Sequence, residues 1–205
     1  MTRGWPAVLR DDTLGGSVVL RPLRRSDADA WTALRLRNAA WLGPWDATTP
    51  DGHATPPGTF ATYVATLRRL ARAGTTLPFG IVLDGELVGQ LTVAGITYGS
   101  LCSGSIGYWI ARDVAGRGVV PTAVALAVDH SFSVLRLHRI EINIRPENAP
   151  SLRVVSKLGL RDEGLRERYL HIQGQWCDHR TFAVTSEEVP DGLLARWQAS
   201  RDGGK

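Results

Sequence analysis

The stretch from Ser105 to Pro121, Ser-Ile-Gly-Tyr-Trp-Ile-Ala-Arg-Asp-Val-Ala-Gly-Arg-Gly-Val-Val-Pro, joins a β-rich run to a tight glycine turn and a helix start. Glycines 116 and 118 let successive backbone N–H groups converge on one point, and the helix start adds the positive end of its dipole. A phosphate or pyrophosphate is the natural ligand of such a turn. An isolated G-x-G is more often a plain turn before a helix, so the stretch gains weight only with a partner. The chain holds neither G-x-x-x-x-G-K-[ST] nor G-x-G-x-x-G, which leaves P-loop and dinucleotide binding without their signatures.

The partner is His138 to Leu160, His-Arg-Ile-Glu-Ile-Asn-Ile-Arg-Pro-Glu-Asn-Ala-Pro-Ser-Leu-Arg-Val-Val-Ser-Lys-Leu-Gly-Leu. In order, spacing and distance from the glycine turn, the two segments resemble the two cofactor motifs of the GNAT acyltransferase superfamily. Tyr108-Trp109-Ile110, Gly116-Arg117-Gly118, Glu163-Gly164 and Leu42-Gly43-Pro44-Trp45 look like the RimJ/RimL type, enzymes that acetylate the N-termini of ribosomal proteins. The resemblance runs from roughly Val18 to Val184. It implies a GNAT fold and transfer of an acetyl group from acetyl-CoA to a primary amine, with a ribosomal-protein N-terminus as the leading acceptor. A small-molecule amine or antibiotic is the enzymatic alternative, and a non-catalytic acyl-CoA-binding module is the alternative of a different class.

Carried over residue by residue, the resemblance implies that Tyr108, Trp109, Ile110 and Ala111 pair through their main chain with the pantetheine amides. Ala115, Gly116, Arg117, Gly118, Val119 and Val120 would supply amides to the pyrophosphate. Asn148 and Ser151 would face the pantetheine and thioester end, with Lys157 on a phosphate. Many relatives carry Thr where this chain has Pro121, which removes a hydroxyl and an amide donor; Thr122 beside it is the candidate replacement.

The implied reaction is attack of a neutral amine on a thioester carbonyl, which needs a base for the ammonium, a donor for the oxyanion and a proton for the departing thiolate. Glu141 is the candidate base, weighed evenly against a salt-bridged strand carboxylate. Ser151 is the candidate hydroxyl for the thiolate or oxyanion, weighed against a first-turn helix serine that bonds local backbone. Some GNAT enzymes place a Glu base where Asn143 stands and a Tyr acid where Val155 stands, so neither role transfers. Trp41, Trp45 and Tyr169 are candidates for an amine pocket, set against the ordinary use of aromatic residues as core.

Other suggestive residues carry less. Asp129-His130-Ser131 holds the residue types of a hydrolytic triad, but neighbouring helical positions point to different sides. His53, His138, His171 and His179 show no metal-ligand spacing with each other or with Cys102 and Cys177, and no metal is expected.

The elements that must hold these residues are legible from period and punctuation. Ser17–Leu23 reads as a first strand, and Ser26, Asp27 and Asp29 precede a helix running to about Asn38. The Pro- and Gly-rich stretch from Trp41 to Gly58 reads as a long functional or mobile loop. Thr59 caps a second helix that Gly74 ends. Two apolar runs flank Asp84-Gly85 as a hairpin, and a fourth strand covers Ser105–Ala111. A helix follows through Pro121, then a strand over Arg139–Arg145, a helix from Asn148 to Gly159, a hairpin across Gln173-Gly174 and a terminal helix with Leu193, Leu194 and Trp197. The expected class is α/β (α+β), a mixed sheet of about seven strands flanked by helices, parallel only at the crossover after the fourth strand.

At 205 residues the chain suits one domain, 1–205, and 43% hydrophobic with 21% charged residues is ordinary globular composition. A net charge of +4 spread along the chain suits an anionic cofactor and does not point to nucleic acid. Two cysteines are too few for a disulfide framework, and no apolar run is long enough for a signal or membrane segment, so a cytoplasmic location is expected. Acetyl-CoA and an amine substrate are the expected partners, and a homodimer stays open.

Overall fold

The computed structural model describes residues 4–50 and 58–202, so His53 lies outside the described residues. Eight strands form one sheet in the order β1-β2-β3-β4-β5-β6-β8-β7. They are β1 (Leu9–Asp11), β2 (Val18–Arg21), β3 (Leu77–Leu83), β4 (Glu86–Thr97), β5 (Ser103–Ile110), β6 (Arg139–Ile144), β7 (Arg161–Ile172) and β8 (Gln175–Thr185). The helices are α1 (Ala28–Arg37), α2 (Ala39–Leu42), α3 (Phe60–Arg72), α4 (Val119–Ser133), α5 (Ala149–Leu158) and α6 (Leu193–Asp202). The eighth strand beyond the expected seven is β1, whose three residues are too few to show alternation.

Turn chemistry sets the hairpins. Asp84 and Gly85 both take positive φ, 50° and 91°, the twist a two-residue hairpin requires, and Gln173 and Gly174 repeat it at 49° and 81°. Thr59 caps α3 by accepting the Thr62 N–H, and Asn148 caps α5 by accepting the Ser151 N–H. The segment expected as a bare loop from Trp41 holds the end of α2 and a 3₁₀ turn over Gly43–Trp45, and Ala47 bridges to Ile172.

β5 and β6 decide where a site can be. They run parallel but pair only over Ser103–Ser105 against Arg139–Glu141. Beyond Ser105 they part, while β5 stays paired with β4 to Ile110 and β6 with β8 to Ile144. Side chains alternate across a strand, so the gap has two walls of different character. Tyr108 reaches towards α5, its hydroxyl donating to the Ser151 carbonyl at 3.5 Å, whereas Trp109 packs edge-on against Trp31 of α1 at 6.2 Å. On the α5 side, α4 is buried continuously from Val119 to Val128, as a helix apolar all round must be, and packs with α5 and α6.

Candidate active site

The gap between β5 and β6 opens into a cavity of about 670 Å³. Ala111 donates its N–H to Val88 of β4. Successive peptide groups face alternate edges, so Trp109 also faces β4 while Tyr108 and Ile110 face the gap. The Ile110 carbonyl accepts the Trp41 indole N–H at 3.1 Å. Of the four main-chain positions expected to pair with an amide ligand, Tyr108 therefore offers both its groups and Ile110 its N–H, whereas Trp109 and Ala111 are committed to the sheet. Gly107 beside them carries no side chain into the gap, and all of Gly107, Tyr108, Trp109 and Ile110 line the cavity.

The glycine turn closes one end. Gly116 and Gly118 take φ of +86° and +82°, and Gly118 is the left-handed N-cap of α4 with no side-chain cap. Among the described residues the N–H groups of Gly116, Arg117, Gly118, Val119 and Val120 have no partner, which is an array of donors at a positive helix end. A Cβ on Gly116 would meet nothing within 4 Å. Pro121, third in the helix, costs no hydrogen bond there. Lys157 and Arg153 of α5, four residues apart on one helix face, line the same cavity and add positive charge. This donor set and open cradle fit a pyrophosphate.

Two expectations are corrected at this end. Ala115 lines the cavity, but its N–H already donates to the Arg112 carbonyl at 3.2 Å. Thr122 is fully buried, and its hydroxyl accepts the Trp197 indole N–H at 2.9 Å, so it cannot replace the hydroxyl missing at Pro121. Arg117 and Val119 offer main chain, as expected of them: the Arg117 side chain projects into solvent and that of Val119 into the core.

Asn148 and Ser151 line the cavity together. Asn148 Oδ1 accepts the Ser151 N–H at 3.1 Å, and the Ser151 carbonyl takes the Tyr108 hydroxyl. Both main-chain groups of Ser151 are thus fixed, while its hydroxyl bonds no backbone group among the described residues and has the Tyr108 hydroxyl beside it. The local backbone bond weighed against it is not made. Burial pushes the Tyr108 hydroxyl well above its ordinary pKa, so it is a neutral donor.

Glu141 is placed otherwise than the sequence suggested. It does not line the cavity; its carboxylate accepts from Arg139 Nε at 2.9 Å and from Arg166 at 2.9 Å. Arg139 continues the ladder to Glu163, and Arg161 pairs with both Glu163 and Glu188. The strand carboxylate held in ion pairs is the observed state. Asn143, two residues on and on the same face, does line the cavity, accepting the Thr181 hydroxyl at 2.8 Å.

At the other end stand Trp41, Trp45 and Tyr169, with Asp46, Tyr63 and Gln90, which sequence reasoning missed. Gln90 is 5% exposed, accepting the Trp31 indole N–H and donating to the Tyr63 hydroxyl at 2.6 Å. A lone amide inside the apolar run of β4 was the available signal for it. The Asp129-His130-Ser131 string points three ways: Asp129 caps α6 through the Leu193 and Leu194 N–H groups, His130 meets the Gly4 carbonyl, and Ser131 bonds Ala127. No helix among the described residues is long and apolar enough to cross a membrane.

Comparison with known proteins agrees with this geometry. RimJ of Mycobacterium smegmatis, solved in complex with CoA-disulfide, superposes with a TM-score of 0.90 at 42% identity, covering 98% of this chain and 97% of that one. The probable N-acetyltransferase YjcK of Bacillus subtilis is 31% identical over 85% of this chain and 97% of its own length. The ribosomal protein uS5 alanine N-acetyltransferase of Escherichia coli is 28% identical over 81% of this chain and 87% of its own. Residues 17–161 match the acetyltransferase (GNAT) domain family, and with the parted strands and the glycine turn before α4, the chain belongs to that family.

Proposed function

We propose that this chain is an N-acetyltransferase that moves an acetyl group from acetyl-CoA to the α-amine at a protein N-terminus, with ribosomal proteins as the first acceptors to test. The observation that carries it is the continuous cavity between β5 and β6, with donor amides at one end and an aromatic-lined mouth at the other. The similarity to the M. smegmatis and E. coli enzymes supports the same acceptor class. Such an enzyme works in the cytoplasm, where ribosomal proteins are made.

Bound acetyl-CoA supplies a thioester carbonyl open to attack. The Gly116–Val120 amides, Arg153 and Lys157 would hold its phosphates, and the main chain of Tyr108 and Ile110 would align its amide arm. Ser151, with its peptide groups fixed by Asn148 and Tyr108, presents a hydroxyl that can pass a proton to the leaving sulfur while taking in exchange the proton the amine sheds as it becomes an amide. Trp41, Trp45 and Tyr169 shield the mouth from water. No histidine lines the cavity among the described residues, and Glu141 is tied up in its ion pairs. A site so poor in bases favours an acceptor already partly neutral: at pH 7 that is roughly a tenth of an α-amine but less than about a thousandth of a lysine-like amine. This favours a protein N-terminus over a polyamine.

Two results test the reading. CoA at about 100 times its Kd stabilises by about 2.7 kcal/mol and should raise Tm by about 5–10 °C, whereas ATP and NAD should not. An unchanged Tm with CoA removes the proposal. Glu141→Gln should keep turnover within about twofold of wild type, because the carboxylate serves an ion-pair ladder, and should lower stability by about 1 kcal/mol. Thiol release and urea denaturation on one preparation measure both.

A further inference from the structure

We propose that Asp46 is the group that docks the incoming amine as its ammonium, an assignment that rests on the acceptor reading above. Charge is distributed unevenly along the cavity. The two cationic side chains that line it among the described residues, Arg153 and Lys157, both lie on α5 beside the phosphate end. Asp46 is the one carboxylate among the described residues that lines it, and its neighbours Trp41, Trp45 and Tyr63 belong to the opposite mouth. An anionic cofactor and a cationic acceptor entering from opposite ends would each meet the opposite charge.

Asp46 is held as a docking group needs to be. It follows the 3₁₀ turn Gly43–Trp45, its own N–H bonding the Gly43 carbonyl at 3.3 Å. The chain beyond it is pinned to β7, Ala47 bridging Ile172 and the Thr48 N–H reaching the His171 carbonyl at 2.8 Å. Its carboxylate is gripped from behind by both terminal nitrogens of Arg35. Arg35 does not line the cavity; its guanidinium lies 5.1 Å from the Trp109 ring centre and 5.9 Å from that of Trp31. Two aromatic faces thus share its positive charge and fix its orientation. A carboxylate has about four acceptor positions, and Arg35 takes two. Asp46 lines the cavity with 40% of its side chain exposed, which leaves the remaining positions free for a ligand. An ammonium has three donors to fill them and a charge to match, and gives its proton to water before attack; the acetylated product is an amide with one N–H and no charge, so the same contact favours substrate entry and product release.

The assignment is tested by calorimetric titration of three probes into CoA-saturated protein: a synthetic hexapeptide with a free N-terminal alanine, the same peptide N-acetylated, and spermidine. Wild type should bind the free peptide more tightly than the acetylated one. Asp46→Asn, which keeps the shape and a hydrogen bond to Arg35, should weaken the free peptide by at least about tenfold and leave the acetylated peptide and CoA unchanged. Arg35→Lys, which loosens the clamp but keeps the carboxylate, should retain the preference for the free amine. The assignment is overturned if Asp46→Asn keeps that preference, if it weakens both peptides equally, or if Arg35→Lys abolishes the preference as completely. Wild type that takes spermidine and neither peptide sinks the protein-acceptor reading instead; a tenfold loss of spermidine in Asp46→Asn then still upholds Asp46 as the ammonium dock.

Discussion

Gly116→Ala is expected to weaken CoA binding by about tenfold to a hundredfold while the protein remains folded. The added Cβ would enter open space at a residue that lines the cavity, since nothing lies within 4 Å of its position. That is where the unpartnered amides of Gly116 to Val120 converge, and a side chain there keeps a phosphate from closing on them. Losing one hydrogen bond to a charged group at about 1.5–3 kcal/mol gives the stated range. The fold should lose about 1–2 kcal/mol, the cost of an L-residue at a φ of +86°. Gly118 is a poorer probe although it sits in the same turn. A Cβ there would meet Leu14 at 3.0 Å and the Trp197 ring at 3.5 Å, so its substitution mixes packing damage with ligand loss. Calorimetry with CoA beside urea denaturation separates the two effects at Gly116. A folded Gly116→Ala protein with wild-type CoA affinity would show that the turn is only a turn.

What the sequence made legible, and what it hid, divides along a physical line. Features decided within a few residues were readable: Asp84-Gly85 and Gln173-Gly174 as hairpin turns, Asn148 and Gly159 as the ends of α5, and the glycine turn before α4. Each depends on a backbone conformation that few residue types accept. The cavity-lining places of Trp45 and Ser151 were also readable from likeness to family motifs, whereas Trp41 and Tyr169 stood out only as aromatic residues able to line a pocket.

Features decided by partners far along the chain were not. The state of Glu141 depends on Arg166, 25 residues away across the β6-β8-β7 part of the sheet. Thr122 is claimed by Trp197, 75 residues away on α6. Asp46 lies in a stretch whose Pro and Gly content says loop, and only the approach of Arg35 and the bridge to Ile172 turn that loop into a wall of the cavity. The β5–β6 gap is itself a statement about pairing that stops, at Ser105, inside a strand that continues to Ile110. No local pattern on β5 records where its neighbour leaves it.

Ser151→Ala should lower turnover by about 10²-fold with almost no change in stability or CoA affinity. The stability half follows from what the hydroxyl does not do: it bonds no backbone group among the described residues, and the Tyr108 hydroxyl beside it keeps the Ser151 carbonyl as acceptor, so its loss strands no buried group and should cost less than about 1 kcal/mol. The substitution leaves the main-chain contacts in place, the N–H on Asn148 Oδ1 and the carbonyl under Tyr108, so α5 and the glycine turn should keep their positions. The turnover half follows from where the hydroxyl is: on the cavity wall, in the first turn of α5, with its backbone locked on both sides. A donor held that way before the reaction need not reorganise when charge appears on sulfur or oxygen, and removing one such donor costs about 10²–10³ in rate elsewhere. Asn148→Ala is the informative contrast. It removes the cap of α5 and should cost about 1 kcal/mol of stability, with any loss of turnover arising through a displaced Ser151. If Ser151 is only one more wall residue, its alanine variant will turn over like wild type and Asn148→Ala will be the more damaging of the two. If it is the proton donor, the order reverses, and the loss at Ser151 will appear in kcat with KM for acetyl-CoA unmoved.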